Sequence, residues 1–284
     1  MTEQDASPDA LERPAIIAVA PNGARKTRAD HPALPVTAAE IARTAAACAE
    51  AGAAMIHLHV RDREGGHLLD AEAYKEATAA IRHEAGAEII VQITTEAVGR
   101  YTPEQQMAVV RETAPEAASL ALRELVAEPA QEAAAADFFA ELQAGGCFAQ
   151  YILYAPEDLQ RFGELRRRGV IPDGPACLLF VLGRYTRNQT SQPADLLPFL
   201  AAGGSGPAWM VCAFGGREAA CGVTAAALGG HVRVGFENNL LLPDGRPAPD
   251  NAALVAATAQ GIQAIGRALA GPAEARKLLA EATL

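Results

Sequence analysis

The chain has 284 residues, half of them hydrophobic and a fifth charged, and its 24 Lys and Arg stand against 34 Asp and Glu, a formal net charge of −10. This is a globular composition. The acidic balance, with no basic run beyond Arg166-Arg167-Arg168, lacks the cationic footprint that nucleic acid or anionic lipid requires. No apolar stretch approaches the ~20 residues of a spanning helix, and residues 1–14 are polar and acidic where a secretion signal is positive and then apolar. A cytoplasmic protein is expected, with a polar tail at 1–14 and a single domain from 15 to 284. The five cysteines (Cys48, Cys147, Cys177, Cys212, Cys221) are odd in number, widely spaced and without a C-x-x-C pair, which reads as reduced, buried thiols.

In chain order, short apolar runs alternate with longer alanine-rich segments of helical period. IIAVA at 16–20 is followed by a helix that Thr37 and Glu40 open with a capping-box pattern. MIHLHV at 55–60 precedes a helix near 70–84, and EIIVQIT at 88–94 precedes one at 103–113 with Thr102-Pro103 at its start. ASLAL at 118–122, FAQYILY at 148–154, CLLFVLG at 177–183 and AWMVCAF at 208–214 are followed by helices near 130–143, 157–168, 191–202 and 216–228. HVRVGFE at 231–237 is the eighth run, before a helix at 251–270. Eight near-continuously apolar strands, each followed by a helix, predict a closed parallel (β/α)8 TIM barrel. An open doubly wound sheet fits less well, because no Gly-x-Gly-x-x-Gly follows the first strand.

Barrel enzymes build their sites at the carboxyl ends of the strands. The polar residues there include Asn22 and Arg25 after the first strand, Thr94, Thr95 and Glu96 after the third, and Arg123 and Glu124 after the fourth. Tyr154 follows the fifth strand and Arg184 the sixth. His57 and His59 lie two residues apart in an extended segment, so both imidazoles project to one face. Such a pair is either two ligands for one metal ion or two hydrogen-bonded core histidines. Glu237 ends the eighth strand on the parity of Arg233, and a closed barrel brings that strand beside the first, with the second on the other side. Two His and one carboxylate leave an open metal position, as in catalytic zinc sites, although Glu237 also suits a cap or an ion pair. Arg233 suits orientation of a carboxylate or pairing within a barrel layer. Gly215-Gly216 at the start of the seventh helix is either an anion site for a coenzyme A phosphate or a plain turn. His231 is read as structural, and His31, His67 and His83 as loop or helix-surface residues.

Several stretches together resemble the β-keto acid cleavage enzyme family, of the 3-keto-5-aminohexanoate cleavage enzyme type. They are TRADHPALPVT at 27–37, EAGAAMIHLHVRD at 50–62, IIVQITTEAVG at 89–99, FVLG at 180–183, GGHVRVGFENNL at 229–240 and NAALVA at 251–256. The resemblance implies a zinc-dependent, commonly tetrameric barrel that moves the acyl part of a β-keto acid onto the coenzyme A of acetyl-CoA and releases acetoacetate. It places the metal on His57, His59 and Glu237, the last-strand arginine on Arg233 and the hydroxyl of the third strand on Thr94, with Thr95 beside it. Departures are specific. Arg25 stands where a family glutamate faces a substrate amine, Asn238 where an aspartate is thought to act as base, and Glu96 where glycine is usual. Arg123 and Glu124 follow Leu122 where asparagine and threonine are found.

The expected chemistry is therefore transfer between acetyl-CoA and a neutral or anionic β-keto acid, with Zn2+ or another divalent transition metal bound. Asn22, Arg25, Thr94, Thr95, Arg123, Tyr154 and Arg184 are the candidate substrate contacts. Glu96 and Glu124 are the candidates for the base in place of the family aspartate that Asn238 supplants, unless the reaction itself differs. The other readings of the same residues are a metal-dependent barrel hydrolase, an aldolase-type lyase, and a non-catalytic keto acid or acyl-CoA binder.

Overall fold

A computed structural model describes residues 11–204 and 208–282; most of the tail expected at 1–14 lies outside them. The strands are β1 (Ile17–Val19), β2 (Met55–Leu58), β3 (Val60–Arg61), β4 (His67–Leu68), β5 (Ile90–Thr94), β6 (Ala117–Ala121), β7 (Phe148–Leu153), β8 (Cys177–Leu182), β9 (Ala208–Ala213) and β10 (His231–Val234). Eight of them close a parallel barrel in the order β1-β10-β9-β8-β7-β6-β5-β2, and β3 and β4 form a separate antiparallel hairpin. The helices are α1 (Ala38–Glu50), α2 (Ala71–Ala85), α3 (Pro103–Thr113), α4 (Leu122–Leu125), α5 (Glu132–Ala144), α6 (Pro156–Arg167), α7 (Leu197–Ala201), α8 (Glu218–Ala227), α9 (Asn251–Ala264) and α10 (Pro272–Ala280). The (β/α)8 fold expected from the alternation is the fold observed. Among the described residues no helix is long and apolar enough to cross a membrane.

Local chemistry sets the element ends. Thr37 accepts from the Glu40 amide while Glu40 returns to the Thr37 amide, so both orphan donors at the start of α1 are satisfied. Thr102 and Gln105 do the same for α3, with Pro103 in its first turn. The helix expected at 191–202 is instead a 3-10 turn, Pro193–Leu196, followed by the five residues of α7. Pro193 and Pro198 each lack an N–H and restart the chain's hydrogen bonding. The last helix stops at Ala264, ahead of a left-handed Gly266 at φ 83°, and α10 begins anew behind Gly271-Pro272. All five Cys read as buried thiols are free, and Cys48, Cys177, Cys212 and Cys221 are buried, but Cys147 is only half-buried.

Two apolar layers result. Ile16, Ala18, Met55, Ile90, Leu179 and Met210 fill the barrel interior, and the opposite parity, with residues such as Ile17, Ile56 and Val91, packs against the helical jacket. The barrel closes where β1 meets both β10 and β2. At the amino end of this seam Ala15 bridges to Leu269, and His231 Nδ1 accepts from the Ile16 amide at 3.0 Å, a structural role as expected. Arg267 is 1 % exposed. Its guanidinium donates to the carbonyls of Ala226 and Gly230 at 2.6 Å and of Arg13 at 2.8 Å. Burial lowers its pKa to about 10, so it still carries its charge at neutral pH.

At the carboxyl end Glu218, in the first turn of α8, is buried and accepts from Gly235 N at 3.0 Å and Asn239 Nδ2 at 3.3 Å. Burial outweighs both bonds and raises its pKa to about 8. The folded state therefore favours the protonated acid, and wild-type stability falls as pH rises from the ordinary carboxylate value through about 8.

Two stability measurements follow from these contacts. Arg267→Met strands the carbonyls of Ala226, Gly230 and Arg13, with an expected loss of about 3 kcal/mol or more in urea unfolding. For Glu218→Gln, the stability difference from wild type is expected to move in the variant's favour by about 1 kcal/mol per pH unit between about pH 5 and about pH 8. A difference flat with pH would show that Glu218 titrates normally.

Candidate metal and substrate site

Three side chains converge at the carboxyl mouth. His57 Nε2 lies 3.1 Å from His59 Nε2, and Glu237 Oε2 lies 3.6 Å from the first and 3.3 Å from the second. The histidines meet because one intervening residue, Leu58, sends its side chain to the other face. Glu237 arrives differently from expectation. β10 ends at Val234, not at Glu237, and the chain turns at Gly235, whose φ is 136°. A Cβ there would lie 2.5 Å from the Ala20 carbonyl oxygen, so only glycine brings the turn this close to β1. The Glu237 amide then donates to that same carbonyl at 3.1 Å. Gly23 faces the carboxylate stem, and a Cβ on it would meet Glu237 Cγ at 2.6 Å.

The surroundings hold Glu237 ionised. Burial alone would raise its pKa, but Arg233, whose Nη2 is 3.1 Å from Oε1, keeps it well below the carboxylate range. Burial, reinforced by Arg233, keeps His57 neutral. The remaining oxygen, Glu237 Oε2, is buried without a hydrogen-bond partner. A tetrahedral ion with bonds of ~2.0–2.1 Å has ligand-to-ligand edges of ~3.3 Å, and the three observed separations of 3.1, 3.3 and 3.6 Å bracket that value. Two imidazole nitrogens and an unpartnered carboxylate oxygen are a donor set that fits a divalent transition ion.

Above this floor is a cavity of about 310 Å³. Of the residues singled out in the sequence, Asn22, Arg25, Thr94, Glu96, Tyr154, Arg184 and Arg233 line it with the three metal-binding candidates. Asn22 Nδ2 donates to the His59 carbonyl at 3.2 Å, and its Oδ1 is buried with no hydrogen-bond partner. Glu96 lies 3.8 Å from Arg184, 3.9 Å from Arg25 and 4.0 Å from His59 Nδ1, each beyond direct hydrogen-bond length. Arg184 rests over the Phe214 ring. Thr94 Oγ1 accepts from the Glu96 amide at 3.1 Å, which steadies the loop that carries this carboxylate.

Other expected site residues do not line the cavity. Arg123 pairs with Asp158 at 2.7 Å instead of facing a substrate. Glu124 accepts from Ala97 N and Gln106 Nε2, at 2.9 and 2.8 Å, and so braces the loop after β5. Thr95 donates its hydroxyl proton to the Ser119 carbonyl. Asn238 is buried, and both its side-chain polar atoms lack hydrogen-bond partners. The Gly215 amide donates to the Asn238 carbonyl at 3.2 Å, so it is not available to a phosphate; its φ of 88° marks the turn that the second reading allowed, and Gly216 likewise stays outside the cavity.

His67 is not a surface residue. It is 5 % exposed, its ring centroid is 5.3 Å from that of His59, and its Nε2 is 2.9 Å from the Glu96 carbonyl oxygen. His31 is also buried, with Nε2 2.9 Å from the Ala248 carbonyl oxygen. Lys26, next to Arg25 in the loop after β1, donates its Nζ to the Glu237 carbonyl at 2.6 Å, and burial lowers its pKa. Gln92, 2.8 Å from His57 Nδ1, was missed although its parity in IIVQIT is that of Thr94.

The family model described as beta-keto acid cleavage enzyme matches residues 14–280. The 3-keto-5-aminohexanoate cleavage enzyme of Fusobacterium nucleatum subsp. nucleatum is 31 % identical, over 93 % of this chain and 97 % of that one. The 3-oxoadipate:acetyl-CoA acetyltransferase of Cupriavidus necator is 29 % identical, over 95 % of each. Among solved structures, ObcA in complex with oxaloacetate superposes with a TM-score of 0.70 at 16 % identity, covering 87 % of this chain and 67 % of that one, a likeness of fold. A family match over almost the whole chain, together with a relative above 30 % identity over nearly its full length, shows that this protein belongs to the β-keto acid cleavage enzyme family.

Proposed function

We propose that the protein transfers acyl groups between a β-keto acid and acetyl-CoA, R–CO–CH2–COO⁻ + CH3–CO–SCoA giving R–CO–SCoA + CH3–CO–CH2–COO⁻, and that its keto acid carries an anionic tail. The convergence of His57, His59 and Glu237 below a wall that holds Arg25, Lys26 and Arg184 is the observation that carries this reading. A cationic tail would face that wall unfavourably, whereas a carboxylate finds guanidinium partners there. The relative named for 3-oxoadipate, a dicarboxylic keto acid, supports the same class.

His57, His59 and Glu237 would hold a divalent ion, Zn2+ by family expectation. When bound, it supplies Lewis-acid polarisation of the keto group. Arg233 keeps Glu237 ionised and aimed at the imidazoles. Arg184 and Arg25 bind the tail carboxylate. That carboxylate competes for the two cations that flank Glu96 and leaves Glu96 as the free acceptor beside the reacting carbon. Glu96 then takes a proton from the C2 methylene, which is acidified by the carbonyl beside it. Glu124 faces the loop backbone and is assigned no proton. Asn22 and Tyr154 shape the cavity around the acyl chain.

A panel of dicarboxylic, neutral and amino β-keto acids with acetyl-CoA, monitored for acetoacetate and acyl-CoA, tests the reading. Turnover is expected with dicarboxylic substrates foremost, and preference for an amino keto acid would refute the anionic assignment. Arg184→Ala should raise KM for the dicarboxylic substrate about 10- to 100-fold. Glu96→Gln should lower kcat by about 100-fold or more while Glu124→Gln stays near wild type; the reverse order would move the base to Glu124. His59→Ala should abolish binding of Zn2+ in equilibrium dialysis.

A further inference from the structure

A line of hydrogen-bonded side chains runs down from the site into the otherwise largely apolar barrel interior. His57 Nδ1 is 2.8 Å from Gln92 Oε1, Gln92 Nε2 is 3.3 Å from Gln150 Oε1, and Gln150 Nε2 is 3.4 Å from Cys177 Sγ and 3.6 Å from Met210 Sδ. The register permits each step. Gln92 is abreast of His57 in the paired strands β2 and β5, and Gln150 is abreast of Cys177 in β7 and β8. Between Gln92 and Gln150 lies β6, whose Ala117 and Ser119 are small enough to leave their contact open. Gln92 and Gln150 are 1 % and 3 % exposed, so no bulk water competes for their amides.

This line has a direction. A thioether sulfur accepts and never donates, and the Cys177 thiol is turned to the Leu178 carbonyl oxygen at 3.8 Å, so both sulfurs need a donor. They call for the NH2 end of Gln150, whose carbonyl then faces Gln92. That carbonyl calls for the NH2 end of Gln92, whose own carbonyl then faces His57. An amide carbonyl can only accept, so His57 must carry its proton on Nδ1 and present the Nε2 lone pair toward His59 and Glu237. We infer that Gln92 and Gln150 are positioning residues that transmit hydrogen-bond polarity from Met210 and Cys177 to His57 and fix it in the tautomer able to ligate a metal through Nε2. The inference rests on the metal-site reading for its purpose, and on the hydrogen-bond line alone for its content. Without the line, the Nε2–H tautomer would compete, and a proton would stand where the ion is to bind.

The test reads the tautomer directly, by long-range proton–nitrogen correlation on histidine-labelled protein stripped of metal with a chelator and then reloaded with Zn2+. Wild-type His57 is expected as the Nδ1–H form in both states, and an Nε2–H signal in the stripped protein would overturn the inference whatever the variants do. In Gln92→Leu the stripped protein should show both tautomers, and Zn2+ affinity, measured by competition with a chromophoric chelator, should fall about 10- to 100-fold. Gln92→Glu keeps an acceptor against Nδ1 and should restore both the single tautomer and the affinity. Gln150→Leu frees the Gln92 amide to turn over and should give a smaller loss in the same direction. Folded Gln92→Leu with a single Nδ1–H tautomer and wild-type affinity would also overturn the inference. If wild type binds no divalent ion, the metal reading fails, while the tautomer of the stripped protein still decides the hydrogen-bond line.

Discussion

The buried contact between Arg233 and Glu237 is the constraint on which the mouth of the barrel depends. A carboxylate carried into this depth would take up a proton were it not for the guanidinium 3.1 Å away. Its geometry requires a turn that starts at Gly235 and a loop from β1 that passes close at Gly23, since a side-chain carbon at either position would collide with the chain or with Glu237 itself. Lys26 adds a cation on the Glu237 backbone carbonyl, and Glu218, from α8, secures the amide of Gly235. Several elements thus converge on one side chain, and its free oxygen is left facing two imidazoles.

Much of this was legible in the chain. The period of two places His57 and His59 on one face, barrel closure brings β10 and β2 to either side of β1, and Arg25, Glu96 and Arg184 were named from strand ends alone. What escaped the sequence escaped for physical reasons. His67 and Glu124 are polar residues near strand ends whose surroundings come from elements distant in the chain: the β3–β4 hairpin folds His67 against His59, and α3 offers Gln106 to Glu124. Glu237 kept the predicted proximity to Arg233 although the strand breaks before it, because a turn with glycine at its head returns the side chain to the same side. Gln92 and Gln150 stand in strands that otherwise read as apolar, where a single amide shows in sequence only as an interruption.

The departures from the family pattern form one set. They are an arginine in the first loop, a glutamate after β5 and an asparagine beside the metal-binding candidate. Together they place an anionic side chain between two cations near His57, His59 and Glu237 and put an amide where the resemblance implies a carboxylate in the turn after β10. The anionic substrate proposed above suits this arrangement better than it would a site whose first loop is acidic. The scaffold, including the jacket contacts and the amino-end seam, need not change for such a reversal, in keeping with a fold that varies its chemistry through loops.

The seam stitched by Arg267, His231 and Ala15 joins residues that are 215 positions apart in the chain, as in the bond between Ile16 and His231. Closing so long a loop is entropically costly and is rewarded only by contacts made at the end of folding. His57 comes from β2, His59 from the residue just past it, and Glu237 from beyond β10, on opposite sides of this join, so the three donors come together only when the barrel closes. An ion captured by all three therefore recognises the closed barrel alone, and its binding free energy adds to closure by mass action. Under the proposed metal reading, metal supply and completion of the barrel would thus be thermodynamically linked, with Arg267 holding one end of the join and the ion the other.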